Sequence, residues 1–240
     1  NEFEGYNRAV KEVLSKCQKD KAFGSNIYGA LANLIDVPSK YETSIEMVLG
    51  ASIQNIVTET ENDAKRAIEF LKSNNFGRAS FLPISAVKGG KLSQNFKNDE
   101  GVFGIASDLV NYDKRYENIV QNLLGRTVIV STMDDAVNIS KKYKYSFRVV
   151  TLDGDVVNSS GQMTGGSVIK KTTSLLSRGR EIKELREKMG MNRREFSDYY
   201  GIPYRTVQDW EAEKRQLPDY LLRLIKYRAQ MEGMVKKDKS

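Results

Sequence analysis

The 240-residue sequence contains no histidine, and this absence excludes several kinds of active site. Histidine is the base of Ser-His and Cys-His nucleophile pairs, and it is a frequent zinc ligand. The single cysteine, Cys17, has no partner for an internal disulfide. Because Cys17 falls on an apolar helical stripe, we interpret it as a small buried hydrophobic residue rather than a reactive thiol.

Long apolar runs are missing as well. No run approaches the length of about 18 residues that a membrane-spanning helix needs, and there is no signal-peptide layout. The sequence therefore predicts no membrane partner and a cytoplasmic location.

Acidic residues are outnumbered by basic ones. There are 38 Lys and Arg against 31 Asp and Glu, which gives a formal net charge of +7, and hydrophobic residues make up 40% of the chain. That apolar content is enough for a core, and the positive charge favours a polyanionic partner. A solvated lysine-rich surface is the alternative, and DNA is the partner we favour.

Residues 148 to 167, which read RVVTLDGDVVNSSGQMTGGS, form the most informative segment. A β-branched run, a turn at Asp153 and Gly154, and a second apolar run predict a hairpin. A phosphate-binding loop would need G-x-x-x-x-G-K-[ST], and the lysine is missing. Glycines after a strand permit close approach of backbones, and an open strand edge can pair with another chain. We therefore predict a dimer interface at Gly161, Gly165, Gly166 and Ser167.

Two carboxylates flank the turn glycine of this hairpin. Asp153 and Asp155 could form a metal-binding pair, since hard cations prefer oxygen ligands. Strands on both sides make a simple hairpin turn the favoured interpretation. The sequence therefore predicts no metal site and no cofactor in this chain.

The chain between residues 48 and 152 repeats one pattern. Each copy has an apolar strand, an Asp placed to cap a helix that begins at the next Ala, a polar-faced helix, and a strand that opens with Arg. The pattern predicts two β-α-β units, with chance similarity between common units as the alternative. The markers are Ile56, Asp63, Ala64 and Arg78 in the first copy, and Ile129, Asp135, Ala136 and Arg148 in the second.

Apolar residues near the start of the chain recur at alternating spacings of three and four. Such a stripe fits either a coiled-coil seam or an amphipathic helix packed on a domain. A similar stripe occurs after the glycine-rich segment. The first stripe is Phe3, Tyr6, Val10, Val13 and Cys17, and the second is Ile182, Leu185 and Met189.

Residues 141 to 148, KKYKYSFR, alternate cations with aromatic rings. This composition suits a groove that follows phosphates while bases stack. Alternatively, Tyr145 and Phe147 face the core and the lysines complement a helix C-terminus. Candidate DNA contacts in this run are Lys141, Lys142 and Lys144.

The last third of the chain changes character, because glycine and proline divide it into short stretches that predict four helices. Asn192 is placed to cap the second of them, Gly201 to make a turn, and Pro203 to begin the third. Val207 and Trp210 would form the apolar face of that third helix. This is a helix-turn-helix pattern.

The glycine-rich segment and the repeated halves resemble the hinge domain of SMC proteins, which are coiled-coil ATPases that organise chromosomes. The resemblance implies an α/β hinge of two related subdomains over residues 25 to 168, with a dimer formed through edge strands at the glycine-rich segment. It also implies a coiled-coil helix at residues 1 to 24 and a returning helix that starts within residues 169 to 180. The ATPase motifs and ATP of that family would belong to other parts of a longer protein, and the start at Asn1 fits an excised piece.

The last third resembles the lambda-repressor-like helix-turn-helix family at Glu195-Phe196, Gly201-Ile202, Thr206-Val207 and Trp210-Glu211. The resemblance implies a domain at residues 181 to 232, followed by a basic tail at residues 233 to 240. In that family the third helix enters the major groove. The base contacts implied here are Tyr204, Arg205, Thr206 and Gln208, and the implied phosphate contacts are Arg193, Arg194, Lys214 and Arg215. A plain four-helix bundle with these side chains in solvent is the alternative.

We therefore predict a dimerising α/β hinge joined to a small all-α helix-turn-helix domain, without catalysis. The expected role is chromosome organisation and segregation, with a second copy and DNA as partners. The alternative is a helix-turn-helix regulator that uses the hinge-like part for dimerisation and binds a palindromic operator. The helical domain departs from the SMC pattern, so the chain is either a hinge with an unusual DNA-binding appendage or a fusion of two genes.

Overall fold

The computed structural model describes residues 5 to 166, 178 to 212 and 217 to 235. The chain divides into two compact units. Residues 7 to 166 belong to the N-terminal unit, and residues 178 to 235 belong to the C-terminal unit.

The first half of the N-terminal unit begins with two helices and then alternates short strands with helices. Its elements are α1 (Arg8–Lys19), α2 (Lys21–Gly24), β1 (Ile27–Ala30), β2 (Ile35–Asp36), α3 (Glu42–Leu49), β3 (Ile56–Thr58), α4 (Glu61–Ser73) and β4 (Phe81–Pro83). Strands β1, β3 and β4 form a three-stranded sheet in that order.

The second half follows the same order of strands and helices and ends with two extra strands. Its elements are β5 (Val102–Ile105), β6 (Asn111–Tyr112), α5 (Glu117–Leu124), β7 (Thr127–Val130), α6 (Met133–Lys142), β8 (Arg148–Thr151), β9 (Val156–Val157) and β10 (Met163–Thr164). Five strands form a sheet in the order β10-β9-β8-β7-β5.

The topology confirms the predicted repeat. In each half a β-α-β segment pairs its two strands in parallel, β3 with β4 and β7 with β8. The similarity extends further than the sequence markers indicated, because β1 and β5 each pair antiparallel with the buried strand of their own half. Strands β2 and β6 join the halves as a two-stranded antiparallel ladder.

The helices of the two β-α-β segments begin at matching capping boxes. The backbone N–H of Thr60 donates to Asp63 Oδ2 at 3.1 Å, and the N–H of Thr132 donates to Asp135 Oδ2 at 3.0 Å. The prediction that the two Asp residues cap helices starting at the next Ala was wrong by one turn. Each Thr is the N-cap and each Asp is the third helical residue. The Thr hydroxyl accepts a hydrogen bond from the backbone N–H of the Asp, which has no partner within the helix.

Aromatic residues from both halves meet where the halves join. The rings of Tyr28 and Tyr116 are 6.0 Å apart, and those of Tyr41 and Phe103 are 5.7 Å apart, both edge to face. The Lys40 ammonium lies 3.8 Å from the centre of the Phe103 ring. Edge-to-face pairs and a cation over a ring both stabilise such a junction, so the two halves pack against each other through these side chains.

Helix α1 packs against α2, α4 and β1 of the N-terminal unit. Its stripe residues Val10 and Val13 are buried, and Cys17 is partly exposed. Burial raises the pKa of the Cys17 thiol to about 11, which supports the prediction that it is not a reactive thiolate. The described part of the stripe thus serves packing on a domain, and pairing in a coiled coil stays a prediction. Phe3 lies outside the described residues.

The C-terminal unit has four helices in its described residues, as predicted. They are α7 (Arg178–Lys188), α8 (Arg193–Tyr200), α9 (Tyr204–Glu211) and α10 (Asp219–Met231). Ile182 and Leu185 of α7 are buried in the core of this unit, with Met189 packed against it. The second stripe therefore packs inside the helical unit and not along a returning coiled-coil seam, because α7 is covered by α9 and α10.

Candidate dimer and nucleic-acid interfaces

The first candidate site is the edge strand β10 of the five-stranded sheet. Among the described residues β10 pairs with β9, and no strand lies on its other side. Both of its residues are exposed, and Met163 keeps 50% of its surface. An apolar side chain on an open strand edge is suited to pairing with another chain.

Gly161 forms the turn that leads into β10. Its φ of 84° lies in the left-handed region that favours glycine. Its N–H donates to the Asn158 carbonyl oxygen at 2.9 Å, and the Asn158 N–H donates to the Gln162 carbonyl oxygen at 2.8 Å. This glycine therefore shapes the β9–β10 turn within the chain.

Gly165 and Gly166 follow β10 directly and are exposed. The structure thus brings the three described glycines of the predicted interface to one sheet edge. Ser167 lies outside the described residues. Pairing of this edge with a second copy stays a prediction.

Two of the candidate DNA-binding lysines, Lys141 and Lys142, end α6, and Lys144 lies in the turn that follows. All three are exposed, and the Lys142 ammonium is also bonded to the Asp99 carboxylate. The hydrogen bond between these two groups raises the pKa of Lys142 and lowers that of Asp99. Lys142 therefore ties α6 to the segment before β5. No local sequence pattern indicates this pair, because Asp99 lies 43 residues from Lys142.

The aromatic residues of the same run serve the core. Phe147 is buried, and Tyr143 and Tyr145 pack against the same cluster. Tyr143 also donates its hydroxyl hydrogen bond to Asp99 Oδ2 at 2.8 Å. Phe147 therefore faces the core, as the alternative interpretation predicts, and Tyr143 and Tyr145 pack against the same cluster. Contact of this run with DNA stays a prediction.

The second candidate site is the helix-turn-helix of the C-terminal unit. The side chain of Asn192 accepts from the N–H groups of Arg194 and Glu195 at 2.9 and 3.0 Å, so α8 starts where the sequence predicted. Gly201 makes the turn with a φ of 65°, and α9 begins directly after Pro203. These local features position α9 against α8.

Helix α9 has one buried and one exposed face. Val207 and Trp210 are buried in the core of the unit. Tyr204, Arg205 and Gln208 are exposed, and Thr206 is partly exposed. Tyr204, Arg205 and Gln208 therefore share the outer face of α9, which is the arrangement that a recognition helix needs, whereas Thr206 lies beside the buried stripe.

The predicted phosphate contacts are less uniform. Arg193 Nε donates to Glu211 Oε2 at 2.6 Å, so this guanidinium serves partly to hold α8 on α9. Arg194 is exposed and lies 3.4 Å from Asp198 of its own helix. Lys214 and Arg215 lie outside the described residues.

The role of Glu211 is not evident from the sequence. Its side chain is 1% exposed, and its carboxylate accepts from Arg186 Nε as well as from Arg193, each at 2.6 Å. Burial acts to raise the pKa of Glu211, but the hydrogen bonds from the two arginines outweigh it, so the pKa is lowered. The pair Trp210-Glu211 is part of the helix-turn-helix resemblance, but the sequence does not show that the Glu211 carboxylate bridges α7, α8 and α9.

Two negative findings concern the described part of the chain. No described helix is long and apolar enough to cross a membrane. The described residues also contain no cluster of acidic or cysteine side chains that could hold a metal ion.

Comparison with known proteins identifies both units. A family model described as "SMC proteins Flexible Hinge Domain" matches residues 24 to 140, and one described as "Helix-turn-helix" matches residues 182 to 227. The chain is 44% identical over 186 residues to the chromosome partition protein Smc of Desulfitobacterium hafniense, and 42% identical over 192 residues to that of Bacillus subtilis. These matches cover 77% and 78% of the chain but 16% of each relative.

Solved structures show the same relationship. An SMC hinge domain of Geobacillus stearothermophilus, described as an asymmetric dimer, is 34% identical with a TM-score of 0.70, and the match covers 97% of this chain and 84% of that one. The hinge domain of the Pyrococcus furiosus SMC protein is 30% identical with a TM-score of 0.51, over 73% of this chain and 99% of that one. The chain belongs to the SMC hinge family, and its C-terminal unit carries a helix-turn-helix match.

Proposed function

We propose that this chain is a dimerisation and DNA-binding module of a chromosome-organising SMC protein. The N-terminal unit pairs with a second copy through the β10 edge, and the C-terminal unit binds DNA through α9. Neither role requires catalysis, a metal or a cofactor from this chain, and both place it on the chromosome in the cytoplasm.

The open edge of β10 carries the dimer proposal. Its exposed Met163, and the strand side that has no partner among the described residues, offer both apolar contact and backbone hydrogen bonds to a second chain. The Geobacillus hinge is described as a dimer, which supports the same assembly here. A two-fold pairing would present the same edge from each copy.

Sedimentation equilibrium of the whole chain tests the dimer. We expect the parent to be dimeric at micromolar concentration and Met163→Lys to weaken association at least about tenfold, because a charge would enter the edge contact. Met231→Lys is the matched control, since Met231 is 60% exposed but lies on α10. A monomeric parent would contradict the proposal.

The outer face of α9 carries the DNA proposal. Arg205 and Gln208 are side chains that can form bidentate contacts with guanine and adenine edges, and both are exposed. Exposed cations nearby, such as Arg194, would add sequence-independent phosphate contacts. The alternative of a plain helical bundle gives no reason for exposing these side chains together.

Selection of DNA ligands followed by binding measurements tests base reading. Arg205→Ala should cost about 1 to 3 kcal/mol on the preferred site only. Lys183→Ala, which removes an equal charge from an exposed position of α7, should weaken binding to all sequences alike and slightly. If no sequence is preferred, or if Arg205→Ala and Gln208→Ala leave the preference intact, α9 does not read bases.

A helix-turn-helix regulator that uses the hinge for dimerisation is the second candidate. It is favoured by the same outer face of α9, because two copies in one dimer could occupy two half-sites. A selected site that is palindromic and bound at nanomolar affinity would support this candidate over a role in chromosome organisation.

A further inference from the structure

The side chain of Asp155 makes a contact across the hairpin that the proposed function does not use. Its Oδ1 accepts a hydrogen bond from the backbone N–H of Gly166 at 3.1 Å. Asp155 follows β8 and precedes β9, whereas Gly166 lies beyond β10. One carboxylate therefore connects the start of the hairpin to the chain that leaves the edge strand.

The backbone of Asp155 is itself held firmly. Its N–H donates to Thr151 Oγ1 at 3.0 Å, and its carbonyl oxygen accepts from the Thr151 N–H at 2.9 Å. Thr151 is 1% exposed and ends β8, a strand with neighbours on both sides. The carboxylate thus projects from a position that is fixed to the interior of the sheet.

Gly165 leaves the space that this carboxylate occupies. A Cβ atom at position 165 would lie 2.5 Å from Asp155 Oδ1, which is closer than any ordinary contact. A Cβ at Gly161 or Gly166 would meet nothing within 4 Å, and these two positions favour glycine through their φ values of 84° and 136°. Among the described neighbours, the group that a Cβ at position 165 would displace is therefore the Asp155 carboxylate of the same chain.

We infer that Asp155 is a positioning residue for the dimer edge. It fixes the chain beyond β10 before any partner arrives, so that less conformational freedom is lost on pairing. The role of Gly165 is then to admit the Asp155 carboxylate, not to admit a second backbone. This inference rests on the proposed dimer.

Three variants of the whole chain test the positioning role by sedimentation equilibrium. Asp155→Ala should weaken dimerisation about tenfold or more, since it removes a charge-assisted hydrogen bond from the edge. Asp155→Asn keeps an acceptor at the same place and should stay within about threefold of the parent. Asp153→Ala is the matched control, because Asp153 is exposed in the same turn.

A double-mutant cycle tests the assignment of Gly165. Gly165→Ala alone should weaken dimerisation about tenfold or more, because the methyl group displaces the carboxylate. When Asp155 is already Ala, adding Gly165→Ala should cost less than about threefold, because the clash is gone. Equal losses in both backgrounds would show that the partner requires Gly165, and would overturn the assignment.

Hydrogen exchange of the Gly166 amide gives a readout that is independent of assembly when it is measured at a protein concentration at which the parent and the variants are all monomeric. The amide should be protected in the parent and in Asp155→Asn, and should exchange faster in Asp155→Ala while the amides of β7 and β8 stay protected. A dimeric parent with equal association of Asp155→Ala and Asp153→Ala would overturn the inference alone. A monomeric parent would overturn the proposed dimer and the inference with it.

Discussion

At the scale of single residues, the carboxylate of Glu211 does more for the C-terminal unit than its place at the end of α9 suggests. It is buried, and it accepts hydrogen bonds from arginines on two other helices. A buried pair of this kind is costly to break, because removing one partner leaves the other charge without compensation. Glu211 therefore helps to fix the orientation of α9 against α7 and α8.

Replacing Glu211 with Gln should make the C-terminal unit less stable and less sensitive to acid. The lowered pKa means that the carboxylate stabilises the folded unit fully above the ordinary Glu value, and that this stabilisation is lost as the pH falls through the lower folded value. The parent should therefore lose stability below about pH 4.3. Glu211→Gln should cost about 3 kcal/mol at neutral pH and should lack that part of the acid dependence.

Urea titrations from pH 2 to pH 7 provide the measurement. Trp210 is the only tryptophan in the chain, so its fluorescence reports on the C-terminal unit. Glu184→Gln is the control, because Glu184 is half exposed and pairs with Arg180 on the surface. A surface pair contributes at most about 1 kcal/mol, and this control should keep the acid dependence of the parent. Parallel pH curves for Glu211→Gln and the parent would contradict the assignment.

At the scale of elements, the repeat uses the same capping box in two different surroundings. Asp63 is 4% exposed and also receives hydrogen bonds from Asn26 at 3.3 Å and Arg66 at 3.1 Å. Asp135 caps α6 in the same way but is partly exposed. The repeat thus supplies its own control for the contribution of burial.

Asp63→Ala should therefore destabilise the N-terminal unit more than Asp135→Ala does. The loss of the Asp half of the capping box should cost about 1 kcal/mol in both cases, and Asp63→Ala should cost about 1 to 3 kcal/mol more because Asn26 and Arg66 lose a buried partner. Calorimetry at one fixed protein concentration would measure the difference. Equal losses would show that the extra contacts of Asp63 add nothing to stability.

The elements also show what the sequence alone can and cannot predict. Local chemistry placed the cap at Asn192, the turn at Gly201 and the hairpin at Gly154, because each depends on residues a few positions apart. The start of α4 was misplaced by one turn, since Thr60 and Asp63 can both cap a helix. A contact between residues far apart in sequence, such as that of Lys142 with Asp99, produces no periodic pattern from which it could be predicted.

The same limit applies to the candidate sites. The outer face of α9 was predictable from helical periodicity, because Val207 and Trp210 define the buried side. The contact between Gly165 and Asp155 was not predictable, because it depends on how the hairpin folds back to bring the Asp155 carboxylate next to Gly165. A glycine-rich segment indicates close approach but does not say to what.

At the scale of the whole molecule, the two compact units predict two separable unfolding transitions. The proposed dimerisation would stabilise the N-terminal unit, and the melting temperature of that unit would then depend on protein concentration by mass action. A tenfold increase in concentration should raise the melting temperature of the N-terminal unit by about 1 to 3 °C. The Trp210 transition of the C-terminal unit should not move.

Duplex DNA should instead stabilise the C-terminal unit. When the preferred DNA site is present at a hundred times its dissociation constant, the free energy of unfolding of the C-terminal unit should rise by about 2.7 kcal/mol, because the DNA binds only the folded unit. The Trp210 transition should therefore move to a higher temperature. The N-terminal transition should respond weakly. Met163→Lys should abolish the dependence of the N-terminal transition on protein concentration and keep the response to DNA. Arg205→Ala should reduce the response to DNA and keep the dependence on protein concentration. If concentration and DNA instead move one common transition, the units unfold together, and dimerisation and DNA binding are thermodynamically coupled in this chain.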